Sequence, residues 1–197
     1  MGKRKKGQMF LISGILIILG LLMVKNLLGV YQSIEEKRAE ESIILDENLQ
    51  NILKEYEYCV GLSSLSSDIN QTTYENLVNL TSYIQSDFDT EVFFVFVYYN
   101  KTAANYTLTI GNYLGEKINL TIDGGTEHNI SDESYYSEKA SATTDKNITI
   151  DYTFRSENRR EKFLVTTSAN LSKAFFDITI KGKNINLRRK DLYNRTW

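Results

Sequence analysis

Residues 92–99 read Val-Phe-Phe-Val-Phe-Val-Tyr-Tyr, eight apolar or aromatic side chains in a row. A strand sends successive side chains to opposite faces, so an unbroken run of this length predicts a central strand covered on both sides. Downstream the period stays at two. Tyr106, Leu108 and Ile110 alternate with Asn105, Thr107 and Thr109, which predicts a strand with one wet face. Ile118, Leu120 and Ile122 repeat the pattern, as do Ile148, Ile150, Tyr152 and Phe154. Phe163, Val165 and Thr167 follow, then Phe176, Ile178 and Ile180, with Ile185 and Leu187 as a last short candidate. The stretch between Gly124 and Lys146 is polar and reads as a long loop with room for one short element. Proline is absent, so turns rest on Gly, Asn, Asp and Ser.

Upstream of Asp89 the period is helical. Thr72-x-x-Glu75 matches a capping box and predicts a helix to about Phe88, with Tyr74, Leu77, Thr81, Ile84 and Phe88 as its inner stripe. Gly61 to Ser67 is a Gly/Ser-rich break. Before it, from Tyr31 to Tyr58, Ile34, Leu45, Leu49, Ile52, Tyr56 and Cys59 recur at three- and four-residue steps. The opposite face carries Glu35, Glu36, Lys37, Arg38, Glu40 and Glu41 and reads as a solvated stalk. Helices first and an antiparallel run of strands afterwards predict an α+β fold, with the second helix packed on a sheet or sandwich.

The chain opens differently. Lys3, Arg4, Lys5 and Lys6 precede an uncharged, mostly apolar run from Gln8 to Val24, which resumes at Leu27–Tyr31 after Lys25 and Asn26. That is long enough for a transmembrane helix, and Lys25 can snorkel to the headgroups. The basic flank stays in the cytoplasm and so sets the direction. The organisation predicted is a basic cytoplasmic leader at 1–7, a transmembrane helix at 8–31, an amphipathic stalk helix at 32–60 and an extracellular α+β domain at 61–197. The apolar run is longer than a secretory h-region and lacks a small-x-small cut site after it, so cleavage there is not expected.

Lys5-Lys6-Gly7-Gln8, directly followed by an apolar helix, resembles the class III signal peptide of archaeal type IV pilin-like proteins. The resemblance covers roughly the first 25 residues. It implies cleavage on the cytoplasmic side, between Gly7 and Gln8, leaving the apolar helix on the mature protein. It also implies a structural subunit or minor component of a pilus-like filament. Its partners would be membrane lipid and copies of itself or other pilin-like subunits, packed through Met9–Val24. Gly14 and Gly20 would allow close helix approach there. Many members of that family carry Glu as the fifth mature residue, where this chain has Ile12.

Nine Asn-x-Ser/Thr sequons begin at Asn70, Asn79, Asn100, Asn105, Asn119, Asn129, Asn147, Asn170 and Asn194. With 17 Asn and 33 Ser plus Thr in 197 residues, composition alone gives about three. Strand alternation accounts for Asn105, Asn119 and Asn147, whose Asn and Thr share a wet face. The other six read as helix, loop or strand-edge positions. Asparagine is itself poor in strands, so alternation explains the Thr better than the Asn. The set predicts N-glycosylation, and all nine lie on the outer side of the expected topology.

Other chemistry finds little support. A net charge of −2 offers nucleic acid no general attraction, and the Arg188-Arg189-Lys190 cluster lacks interleaved aromatics. The lone Cys59 excludes an internal disulfide and a thiolate zinc cluster, and reads as a small buried apolar residue. The lone His128, near Glu127 and Asp123, reads as a solvated loop residue. Asp132/Glu133 and Asp151 near Arg155 are ordinary neighbours in an acidic domain. No phosphate loop, zinc spacing or nucleophile elbow is present, and Asp145-x-Asn147 lacks the glycine and glutamate of a calcium loop. The expectation is a non-enzyme without cofactor or metal. The alternative to a pilin-like subunit is a monomeric single-pass surface glycoprotein acting in the envelope or binding a partner.

Overall fold

The computed structural model describes residues 3–63 and 68–196, without the side chains of 3–12 and Asn70, as two units, Met1–Ile44 and Leu45–Trp197. Helix α1 (Lys3–Ser63) contributes to both. In the first unit the apolar residues from Ile15 to Val30 are exposed, and Arg38 pairs with Glu35 one turn away at 3.6 Å. Ile34, expected on the inner stripe, is exposed; among the described side chains of α1, burial starts only at Leu45.

The second unit has three layers: helix, sheet, sheet. Helix α2 (Ile69–Asp87) and the end of α1 cover a five-stranded sheet. Its strands are β1 (Thr90–Asn100), β2 (Asn105–Tyr113), β5 (Ser134–Ser141), β8 (Leu171–Lys181) and β9 (Asn186–Thr196), in the order β5-β2-β1-β8-β9. A four-stranded sheet packs on its other face. It holds β3 (Ile118–Ile122), β4 (Glu127–Ile130), β6 (Lys146–Phe154) and β7 (Glu157–Val165), ordered β4-β3-β6-β7. All neighbouring strands are antiparallel. The expected α+β architecture is therefore the observed one.

The run at 92–99 explains the layering. Val92, Phe94 and Phe96 face Leu49, Tyr56, Leu77 and Ile84 of the helices, while Phe93, Val95 and Val97 face Leu120, Ile150 and Phe163 of the second sheet. Each such side chain contributes about 1.5–3 kcal/mol on burial, so one strand anchors both cores. Gly111 of β2 stands opposite Phe94. A Cβ built there would lie 2.2 Å from Phe94 Cζ, against a ring that is wholly buried. Gly111→Ala should therefore cost about 3 kcal/mol as an overpacking defect, read as a lower urea midpoint with unchanged slope; an unchanged midpoint would refute the close packing.

The helix boundaries depart from the sequence reading. Asp68 caps α2, its Oδ1 accepting from Gln71 N at 3.1 Å, so Thr72 already lies inside the helix. A carboxylate at the positive helix end is a stronger acceptor than a hydroxyl, and Asp68-x-x-Gln71 has cap spacing too. Of the Gly/Ser-rich break, Gly61–Ser63 continue α1, and 64–67 lie outside the described residues. Thr73, Leu77, Thr81 and Ile84 are buried on α2, with Tyr74 and Phe88 half-buried. The two helices are joined by a buried hydrogen bond between Tyr56 Oη and Thr81 Oγ1 at 2.7 Å. Cys59 is half-buried rather than core, one position before Val60, which takes the inner place.

The strands depart too. The stretch read as a loop between Gly124 and Lys146 contains both β4 and β5. β5 is an edge strand carrying Glu138 and Lys139, and edges made safe by charge lose the hydrophobic alternation that marks a strand. His128 is thus a strand residue, its ring 4.2 Å from that of Tyr136. Thr109 is buried, its Oγ1 3.2 Å from Ser137 Oγ, because α2 covers that half of β2. The last strand does not stop at Leu187; β9 runs through the basic cluster to Thr196.

That cluster is used inside the fold. Arg189 lies 3.7 Å from Asp46, Lys190 pairs with Glu161, and Arg188 holds Asp177 in β8. Asp177 is 2% exposed. It accepts from Arg188 Nε at 2.7 Å and from Tyr152 Oη at 3.2 Å, with Arg159 Nη1 at 3.6 Å. These groups close the seam between β7 and β9. Asp151 pairs with Arg160 at 2.5 Å, not with Arg155, whose guanidinium turns to the buried Glu91.

Burial, with Asp177 beside it, pushes the Tyr152 hydroxyl well above its ordinary range, and burial does the same to Tyr56. Hydrogen bonds raise Lys146 through Asp123 and Lys181 through Glu91. All four folded values are raised, so their stabilisation is complete below the unfolded value of about 10 and is lost as pH climbs toward the folded one. These four groups should therefore begin to cost the unit stability as the pH passes about 10. Full tyrosinate absorbance should be reached only with loss of circular dichroism, because Tyr56 and Tyr152 are buried; complete tyrosine titration with circular dichroism intact would refute this.

Candidate functional site

Two features outside the cores carry the functional information. The first is the N-terminal part of α1. Its 18-residue apolar window has a mean hydropathy of 2.1 and is 0% buried. Leu16, Ile17, Ile18 and Leu19 are consecutive and all more than half exposed. Successive positions point about 100° apart, so the helix is apolar around its whole circumference. No single face has been kept for a protein core. The stretch at 8–31 would be about 36 Å long at 1.5 Å per residue, against a hydrocarbon thickness of about 30 Å. This helix is long and apolar enough to cross a membrane. Gly14 and Gly20 have no neighbouring atom where a Cβ would sit. Gly7 and Gln8 fall in the first turns of α1, and the side chains of Gln8 and Ile12 are outside the described residues.

The second feature is the distribution of sequons. Asn79 is on the exposed face of α2. Asn119, Asn129 and Asn147 stand on the outer face of the four-stranded sheet, where Asn119 and Asn129 are cross-strand partners. Asn194 is exposed on β9. Asn100, Asn105 and Asn170 gather where the β1–β2 hairpin turns and are half-buried. Asn100 Oδ1 accepts from Ala103 N and Asn170 Oδ1 from Lys101 N, both at 3.0 Å. Asn70 is in the first turn of α2, with its side chain outside the described residues. Among the eight described side chains none is buried.

Alternation covers more of the set than the sequence reading allowed. Asn129 and Asn194 also occupy outward strand positions, since β4 and the far half of β9 were not foreseen. Two sequons have a buried hydroxyl residue: Thr81, which donates to Leu77 O at 2.7 Å, and Ser172. A transferase could engage those two only before the domain folds.

Among the described residues there is no group of three or more His, Cys, Asp or Glu placed to hold a metal. Comparison with family models, with curated proteins and with solved structures finds no match.

Proposed function

We propose that this chain is a membrane-anchored surface protein of the pilin-like kind, a structural subunit or minor component of a filament. The observation that carries the reading is the circumferentially apolar helix behind Lys3–Lys6. A helix of that kind is stable in lipid or packed among other apolar helices, copies of itself included. The basic flank keeps the N-terminus cytoplasmic and the domain from Leu45 onward extracellular. There its surface asparagines meet the glycosylation machinery and carry sugar. Lys5-Lys6-Gly7-Gln8 is the processing signal, cut after Gly7.

The deciding experiment is mass spectrometry of the N-terminus of protein purified from its own cells. A start at Gln8, with filaments on overproduction, is the expected result. An intact Lys-rich start without filaments would leave the second reading, a monomeric single-pass surface glycoprotein that binds a partner or forms part of the envelope. Ile12, at the position where many pilin-like proteins have glutamate, favours that second reading.

A further inference from the structure

On the helix side of the five-stranded sheet, where the β1–β2 hairpin turns, lies a groove of about 480 Å³. Its floor is a cross-strand block: Tyr98 stands opposite Thr107, Asn100 opposite Asn105, and Lys139 of the edge strand on the other side of Thr107. Asp68, the cap of α2, forms one wall. The groove begins where helix cover stops, since Thr109 is buried while Thr107 and Asn105, on the same face of β2, are half-exposed.

Two things identify the occupant. The lining is polar around one aromatic ring, the combination that a hydroxyl-rich pyranose requires: a flat face for its C–H groups and hydrogen-bonding groups around it. The groove also contains its own attachment point, because both ends of the sequon Asn105-Tyr106-Thr107 line it. Of the two asparagines present, Asn100 is tied into the turn through its Oδ1 at 3.0 Å. Asn105 Nδ2 makes a long contact of 3.4 Å to Ala103 O, and a substituted amide keeps one N–H for it.

We infer that the groove is the seat of the first sugar of a glycan on Asn105, packed against Tyr98 with its hydroxyls toward Asp68 and Lys139. This rests on the glycosylation proposed above. In the attachment, the C1–O bond of a glycosyl phosphate donor breaks as the C1–Nδ2 bond forms, and the amide proton leaves with the phosphate. The seated sugar then extends the cover of the sheet beyond α2 and fixes the turn of the hairpin.

The test uses full-length protein purified from its own cells. Peptide mass spectrometry reads Asn105 occupancy, and thermal melts compare the wild type with Asn105→Gln, Tyr98→Ala and the double variant. Lys139→Ala, a change on an exposed edge strand, supplies a second cycle if a Tyr98 variant does not fold. The expected result is sugar on Asn105 and a melting temperature about 3 °C lower in Asn105→Gln. Tyr98→Ala and Lys139→Ala should then cost less in the Asn105→Gln background than in the wild type. Sugar on Asn105 with additive melts overturns the seat and leaves glycosylation standing. Sugar on other sequons with Asn105 bare overturns the seat as well, and no sugar on any sequon overturns both.

Discussion

Asp177→Ala should remove about 3–5 kcal/mol of stability, a large share of the roughly 5–15 kcal/mol that holds a domain of this size. The loss comes from what remains behind. Arg159 is 13% exposed and would keep a charge in the inter-sheet seam, paired among the described carboxylates with the exposed Glu157 alone. Arg188 would lose both of its bonds to Asp177, and the buried Tyr152 hydroxyl its acceptor. Asp177→Asn keeps the shape and one acceptor and should fall between alanine and wild type. Urea unfolding of the three proteins measures this directly. Equal midpoints for alanine and wild type would show that the seam is closed by apolar packing alone.

Removing residues 1–31 should move the chain from the membrane fraction to the aqueous one. Each Leu, Ile, Phe and Val at the centre of a span favours insertion by about 0.3–0.6 kcal/mol, so Met9–Val24 supplies on the order of 5 kcal/mol, a several-thousand-fold change in partition. The full chain should resist extraction by high salt and alkaline carbonate and yield only to detergent. The truncated chain should be soluble and melt as the parent does, because every residue of both cores lies at or beyond Leu45. Release of the full chain by carbonate would sink the anchor, whatever the N-terminal processing.

What was legible in the sequence was what depends on local periodicity. The run at 92–99 announced a strand covered on both faces, and both covers are present, one of helices and one of a second sheet. The apolar stretch at 8–31 announced itself by composition alone, since no folding partner is needed to make Leu-Ile-rich sequence leave water. The sequons were readable as triplets. Their positions were not, since whether Asn129 or Asn194 faces outward depends on strands that the pattern did not reveal.

Those strands were hidden for a physical reason. β4, β5 and β9 are edges, and an edge strand takes its order from backbone pairing with its one neighbour while its side chains carry charge against further pairing. Arg188, Arg189 and Lys190 look like a surface patch until Asp177, Glu161 and Asp46 are brought to them by strand and helix packing. The need for glycine at 111 shows only once Phe94 lies across it. The succession of two helices followed by antiparallel strands, the apolar N-terminal helix and the nine candidate acceptors thus follow from the sequence by itself, because each is a property of neighbouring residues. Tertiary structure alone decided the division into two sheets, the use of the basic cluster and the groove beside Asn105, because each joins residues tens of positions apart.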